Sequence, residues 1–162
     1  MIIDIKEKFS LLGRRYHISI DGVPSYRAKR RFFSILSTLR LYRKDELKIT
    51  MIKEFGCEMD NYDIILSDRT ELQFKNPSRK EAIYTCQVKD DCYDIYADRG
   101  SWIQVFKNHR FAAGWEQNDI RFINHDYQIR GNEDIDTEIV IAFCLIYDDL
   151  QSVKRKANDM TT

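Results

Sequence analysis

Apolar and polar residues alternate with a period of two through most of the chain, which is the pattern of half-buried β-strands. Residues 16–20 are the clearest case, because they run directly into Asp21-Gly22, a strong signal for a tight hairpin turn. Such segments recur at a spacing of about 8–12 residues, which is typical of a sandwich or a barrel. We predict about twelve strands, at residues 2–8, 16–20, 23–29, 37–43, 47–52, 62–66, 71–75, 83–88, 92–97, 102–106, 111–115 and 120–123, with residues 127–130 as a last short strand or the end of the one before.

Residues 139–147 break this pattern, because all nine are apolar or aromatic and no polar face exists at any period. Such a segment must be buried on every side, and it is far shorter than the roughly 20 residues that span a bilayer. Its β-branched residues suit a central strand. However, Asp136 is placed to cap a helix that begins at Thr137, and Glu138 would lie in the first turn, where the helix dipole favours an acid. We therefore favour a buried helix over a central strand.

A helix without a polar face can be fully buried only inside a closed wall. With its side chains it is about 10–12 Å wide, too wide for an eight-stranded barrel, whose interior is filled by its own side chains. Twelve strands leave room. We predict a mainly β fold, a closed antiparallel barrel of about twelve strands around a C-terminal hydrophobic α-helix. The barrel domain would cover residues 1–150, with the helix at about 137–150 and a polar tail at residues 151–162.

The composition is that of an ordinary globular protein, with 43% hydrophobic and 32% charged residues. The N-terminal residues lack the basic start and long apolar core of a signal peptide. We therefore expect a cytoplasmic protein, peripheral to the membrane if it meets one, whose cysteines are reduced thiols. Their spacing shows no CxxC pair, and we predict neither a metal site nor a cofactor. The cysteines are Cys57, Cys86, Cys92 and Cys144.

Charge is unevenly spread, although the formal net charge is zero. Residues 6–53 hold 13 Lys and Arg against four acids, so this part of the chain either has an anionic partner or complements the acidic remainder within the fold. In a strand, Arg27, Lys29 and Arg31 would face the same way. Cations beside Phe32 and Phe33 suit an anionic membrane, where each is worth about 1 kcal/mol. The candidate lipid-binding residues are Arg27, Lys29, Arg30, Arg31, Arg40, Arg43 and Lys44.

Other reactive groups form no recognisable catalytic set. His17, His109 and His125 lie far apart in the sequence, and no GxSxG nucleophile motif exists. The acidic residues Asp90, Asp91, Asp94 and Asp98 lack the spacing of a calcium loop and are read as a solvated turn. We therefore predict a protein that is not an enzyme.

Asp148 and Asp149 follow the apolar run, at a helix end where the dipole disfavours negative charge. We expect a nearby cation to balance them. The basic tail at residues 154–156 is preferred for this role over a metal ion.

A weak internal repeat runs through the first third of the chain. Basic residues precede Phe9, Phe33 and Phe55, which lie 24 and 22 residues apart, and the third copy degrades over residues 56–60. Together with the Asp-Thr-Glu-Ile-Val-Ile-Ala-Phe run at residues 136–143, these repeats in residues 6–66 resemble the LURP-one-related family. That family belongs to the tubby C-terminal-like superfamily, as do the phospholipid scramblases. The resemblance covers about residues 2–150, and it implies a closed barrel of about twelve strands around a C-terminal helix.

The resemblance also bears on function. Tubby is a phosphoinositide-binding module, which implies a lipid-facing role here, although no residue of this chain maps individually onto a tubby headgroup site. We predict a non-enzymatic module that binds anionic phospholipid or a membrane surface. The alternative is an interaction or structural module that docks a protein partner on the barrel exterior. Nucleic acid is a weaker candidate partner, because the chain is neutral overall and lacks an RNA-stacking motif.

Overall fold

The computed structural model of the chain describes residues 1–10, 13–31, 37–54, 61–77, 82–97, 102–116 and 126–159. These residues form twelve strands followed by one α-helix. The predicted strand at residues 120–123 lies outside the described residues, and the last described strand covers the predicted segment 127–130. The elements are β1 (Ile2–Ser10), β2 (Gly13–Ile20), β3 (Val23–Arg31), β4 (Thr38–Arg43), β5 (Glu46–Lys53), β6 (Tyr62–Leu66), β7 (Glu71–Lys75), β8 (Tyr84–Val88), β9 (Asp91–Ala97), β10 (Trp102–Lys107), β11 (Arg110–Glu116), β12 (Asp126–Gly131) and α1 (Thr137–Asp159).

The strands form a closed antiparallel barrel in sequence order, as predicted. Each strand pairs with the next along the chain, and closure comes from β1 and β12, where Ile2 lies opposite Arg130 and Lys6 opposite Asp126. Closure removes the exposed sheet edges on which another chain could pair. The predicted mainly β fold is confirmed.

Residues along each strand alternate between the interior and the outer surface. On β4, Leu39 and Leu41 are fully buried, while Arg40 between them lies on the outer side. The same alternation places Ile3 and Ile5 of β1 in the core. The period of two seen in the sequence therefore assigns the inner and outer faces correctly.

Helix α1 lies inside the barrel, because its side chains contact strands on all sides of the wall. The ring of Phe143 packs against Phe74 on β7 and Tyr93 on β9, with centroids 5.4 and 5.6 Å away. Tyr147 meets Trp115 on β11 at 6.2 Å. Every residue of the apolar run is buried, so a helix, rather than the alternative central strand, fills the barrel.

The helix begins where the sequence predicts and ends later than predicted. The backbone N–H of Ile139 donates to Asp136 Oδ1 at 3.3 Å, which confirms the cap. The helix continues past Leu150 to Asp159, whereas the sequence analysis ended it at residue 150. The physical reason is that the residues after Leu150 include neither Gly nor Pro and are mostly good helix formers.

The two ends of the barrel differ in their connections. Short turns join β2 to β3, β4 to β5, β6 to β7, β8 to β9 and β10 to β11 at one end, here called the hairpin rim, where α1 also begins. Asp21, Gly22, Lys44 and Lys89 adopt positive φ in these turns, as tight hairpins require. The opposite end, here called the loop rim, receives the later turns of the helix.

Two further features bear on the sequence-based expectations. The described cysteines, Cys86, Cys92 and Cys144, are free thiols, as predicted, and Cys57 lies outside the described residues. No described helix is both long enough and apolar enough to cross a bilayer.

Candidate anion-binding site

The predicted basic stretch divides between the two faces of β3. Arg27, Lys29 and Arg31 are exposed on the outer face, as the strand period predicts. Arg30 faces the other way. Its side chain is only 12% exposed, and Nη2 lies 2.8 Å from Oδ1 of the fully buried Asp149. Arg30 therefore belongs to the lining of the barrel end and does not join the outer row.

The remaining predicted cations lie on β4 and the turn that follows it. Arg40 is directly opposite Lys29 on the outer face. Arg43 places its guanidinium 5.8 Å from the centre of the Tyr26 ring, and Lys44 occupies the turn at a φ of 55°. Both of these residues are exposed at the hairpin rim.

Sequence reasoning missed the contribution of β1 and β2. The register places Lys8 opposite Arg15, Arg15 opposite Lys29, and Lys29 opposite Arg40, so four cations form a row across four adjacent strands. The sequence contains the information needed to predict this row: the apolar–polar alternation of β1 and β2 assigns the outward cations, and the hairpin at Asp21-Gly22 sets the register of β2 against β3. We call the outward-facing cations of these strands the basic wall. It comprises Lys6, Lys8, Arg15, Arg27, Lys29, Arg31 and Arg40.

The basic wall is electrostatically unbalanced. Arg27 pairs with Asp45 at 2.7 Å, but no carboxylate of the described residues forms an ion pair with the other six members. Like charges that face each other across strands are destabilising. The positive charge of the wall also affects the outward-facing His17. Burial and the neighbouring cations Lys8, Arg27 and Arg15 lower the pKa of its imidazole from the ordinary value of 6.5.

A cleft of about 310 Å³ opens toward the loop rim and contains six cationic side chains but no acidic one. We call it the upper cleft. Buried Nε of Arg40 has no hydrogen-bond partner among the described residues. The cleft is lined by Gly13, Arg14, Arg15, Lys29, Arg30, Arg31, Thr38, Arg40 and Tyr42.

A second cleft, of about 360 Å³, lies on the same wall toward the hairpin rim, and we call it the lower cleft. Its cations are Lys6, Arg27 and Lys44, and Pro24 is part of its lining. Among the residues that the structure describes, the exposed large apolar side chains all lie at the hairpin rim; they are Ile2, Val23, Leu47 and Phe111. Three of them are on β1, β3 and β5, beside this cleft.

Behind the upper cleft, Asp148 and Asp149 of α1 are held by side chains of the barrel. Asp148 accepts hydrogen bonds from the hydroxyls of Tyr16, at 2.8 Å, and Tyr127, at 2.5 Å, and Arg14 lies 3.6 Å away. Burial and then the Asp148 charge raise the pKa of both phenols, which keeps them protonated as donors. Asp148 thus has partners on both β2 and β12.

Asp149 contacts side chains of β3, of β6 and of the residue before β4. Its Oδ2 accepts hydrogen bonds from Ser37, at 3.0 Å, and from Tyr62, while Arg30 pairs with Oδ1. The sequence predicts that residues 154–156 supply the balancing cations, and the side chains of those residues lie outside the described part of the structure. Among the described side chains, Arg14 lies near Asp148 and Arg30 near Asp149, because the helix is inside the wall and its acids face strands that are distant in sequence.

The other candidate groups do not converge. Asp91 pairs with Lys107 at 2.9 Å, while Asp94 is buried and accepts a hydrogen bond from Thr85 at 3.0 Å. His17 and His109 lie in different parts of the barrel, and His125 and Asp98 are outside the described residues. Within the described ranges, no group of three or more His, Cys, Asp or Glu is placed to hold a metal ion.

Comparison of the chain with known proteins identifies no relative. The resemblance to the LURP-one-related family thus stays a prediction, which the residues quoted above carry. No family model, no curated protein and no solved structure matches the chain.

Proposed function

We propose that the protein is a non-enzymatic binding module that attaches to anionic membrane surfaces through its basic wall. The observation that carries the proposal is the basic wall on β1–β4, because six of its seven cations form no ion pair with a described carboxylate and the wall continues to a rim with exposed apolar side chains. Cations meet phospholipid headgroups, and apolar side chains enter the boundary between headgroups and acyl chains. The barrel wall and its tight turns hold these groups in place before binding, which lowers the entropy lost on attachment.

Three acids near the lower cleft are already engaged by groups of the protein. Asp21 accepts a hydrogen bond from the backbone N–H of Ile2 at 2.8 Å. Asp45 pairs with Arg27, and Glu46 lies 2.8 Å from Lys48. Of the exposed apolar residues, Val23 is the most open, at 63%. It follows the β2–β3 turn directly and lies next to the lower cleft.

The family resemblance implies a lipid-facing role, and we propose that the basic wall is the surface that performs it. The predicted contribution of Phe32 and Phe33 falls outside the described residues. Among the described residues, Ile2, Val23 and Leu47 take the place that those aromatics have in the sequence-based hypothesis, because they are exposed apolar groups on strands beside the lower cleft.

Reversing three wall charges, with Arg27, Lys29 and Arg31 all changed to Glu, is expected to abolish co-sedimentation with vesicles that contain anionic lipid. Each cation near such a surface contributes about 1 kcal/mol, so removing three weakens binding about hundredfold, and reversal adds repulsion. The measurement is a vesicle titration at constant ionic strength, with neutral vesicles as the reference.

The matched control changes Lys75, Lys89 and Arg110 to Glu, which alters the net charge equally on strands and turns away from the wall. This variant should retain most of its binding. Equal losses in the two variants would mean that net charge, not the wall, drives attachment. Absence of binding by the unmodified protein would refute the proposed function.

The ionisation of His17 offers a second readout. Because neighbouring cations help to lower its pKa, anionic headgroups against the wall should raise that pKa. We expect an upward shift in an NMR titration of the imidazole when bilayer nanodiscs with anionic lipid are added, and none with neutral nanodiscs. Arg27→Gln should also raise the His17 pKa in the free protein. A fall in the pKa with anionic nanodiscs would contradict the predicted placement of His17 near headgroups.

A further inference from the structure

We infer that the upper cleft is a specific binding site for a phosphate monoester group, a compact doubly charged oxyanion, which it recognises whether or not a membrane is present. This site lies at the loop-rim end of the wall. Four of its cations also belong to the basic wall, but the lower cleft and the hairpin rim take no part in it. Binding of a soluble phosphate there does not require membrane attachment.

Charge provides the first step of the argument. Arg15, Lys29, Arg31 and Arg40 line the cleft, and none has an ion pair with a described carboxylate. Register pairing places Arg15, Lys29 and Arg40 side by side on adjacent strands, so their repulsion is built into the sheet. A dianion between them would relieve this repulsion more than a monoanion would. The cleft is thus complementary to concentrated negative charge.

Hydrogen bonding provides the second step. The buried Nε of Arg40 lacks a partner in the described structure, and leaving such a donor unsatisfied is unfavourable. An oxyanion in the cleft would supply an acceptor. Guanidinium groups match the oxygens of phosphate with paired, charge-assisted hydrogen bonds, and three of the four unpaired cations are arginines.

The floor of the cleft provides the third step, because its two arginines are already fixed from behind. Arg14 Nε lies 3.1 Å from Glu7, and Arg14 Nη1 donates to Ser152 Oγ at 2.7 Å. Arg30 is held by Asp149. These contacts position two guanidiniums without using the outer four cations, so ligand binding need not order the floor.

Size defines the class of ligand. A volume of about 310 Å³ is at the small end of the range for ligand sites, about 300–1,000 Å³. It suits a phosphate group with a small substituent. Tyr42 lines the cleft beside Lys29, whose Nζ lies 5.7 Å from the ring centre, and offers an aromatic surface to that substituent.

The test in solution measures binding of inorganic phosphate and glycerol phosphate by calorimetry and by the rise in melting temperature. Sodium chloride at equal ionic strength and the diester dimethyl phosphate are the reference anions. We expect saturable binding of both monoester-type probes. Arg40→Gln and Lys29→Gln should each weaken it at least tenfold, whereas Arg27→Gln, on the same wall but outside the upper cleft, should not. Arg40→Lys keeps the charge and should show an intermediate loss.

A second experiment, with vesicles, distinguishes a phosphate monoester on a lipid headgroup from one on a soluble ligand. Vesicles with phosphatidic acid carry a monoester headgroup, whereas phosphatidylglycerol at the same charge density carries a diester. Binding to solutes, with no preference between the two vesicles, would assign the site to soluble ligands. A preference for phosphatidic acid that Arg40→Gln removes would assign it to headgroups.

The inference is overturned if neither arm prefers a monoester, or if Arg27→Gln weakens the binding of inorganic phosphate and glycerol phosphate in solution as much as Arg40→Gln does. In either case the wall could still bind diester vesicles through its summed charge. The proposed function would then stand without this site.

Discussion

Replacing Phe143 by aspartate is expected to prevent the protein from folding. Phe143 is fully buried in the middle of the barrel, between the rings of Phe74 and Tyr93. Truncating such a side chain to alanine costs about 3–5 kcal/mol, and an unpaired carboxylate at this place adds a larger desolvation cost. Because the net stability of a typical domain is about 5–15 kcal/mol, we expect insoluble expression or loss of the thermal transition.

Two truncations test the same role of the helix. Ending the chain before Asp136 removes the whole core filling and should be as damaging as Phe143→Asp. Ending the chain after Ser152 keeps all the helix side chains that are described as buried. It also keeps the hydrogen bond from Arg14 to Ser152. That variant should melt close to the full chain. Equally folded products from both truncations would show that the barrel does not need the helix.

Replacing Asp149 by alanine is expected to destabilise the protein by about 3–5 kcal/mol, the usual effect of breaking a buried charge pair. Arg30 would lose the carboxylate it faces, and Ser37 and Tyr62 would lose their acceptor. Chemical denaturation monitored by circular dichroism measures the change in unfolding free energy.

Asp149→Asn is the matched control, because the amide can still accept hydrogen bonds through its oxygen while the charge is lost. We expect it to destabilise less than alanine. The double variant Asp149→Leu with Arg30→Leu should recover part of the loss, since a hydrophobic pair avoids the desolvation of both charges. An additive loss in the double variant would show that the ion pair is not what the alanine substitution breaks.

The fold could be predicted further than the site, and Arg30 and Arg40 show why. The period of two places Arg30 opposite in direction to its neighbours, but its partner Asp149 is 119 residues away and is recognisable only once the helix is inside the barrel. The row through Arg15, Lys29 and Arg40 depends on the register of three strands, which a shift of one residue would destroy. Strand periodicity is a local property, whereas a cleft is formed by pairing between strands.

The C-terminal end of α1 differs from the prediction, whereas its start agrees. The N-terminal cap at Asp136 is a local signal that the sequence shows. The polar residues after Leu150 predict an end there, but polarity alone does not stop a helix. Ser152 is buried against Asp148, so the interior of the barrel extends further along the helix than the apolar run indicates.

The seam between β1 and β12 constrains the order of events in folding. Every other strand pair joins neighbours in sequence, but this seam joins the first strand to the last, across more than a hundred residues. Such long-range pairing is slow, because chain entropy must be lost before any contact forms. A helix about 10–12 Å wide could enter a closed wall only by threading lengthwise through one of its ends. We therefore expect docking of the helix onto an open, curved sheet to precede closure of the seam, with a transition state for folding that contains the helix but not the β1–β12 pairing.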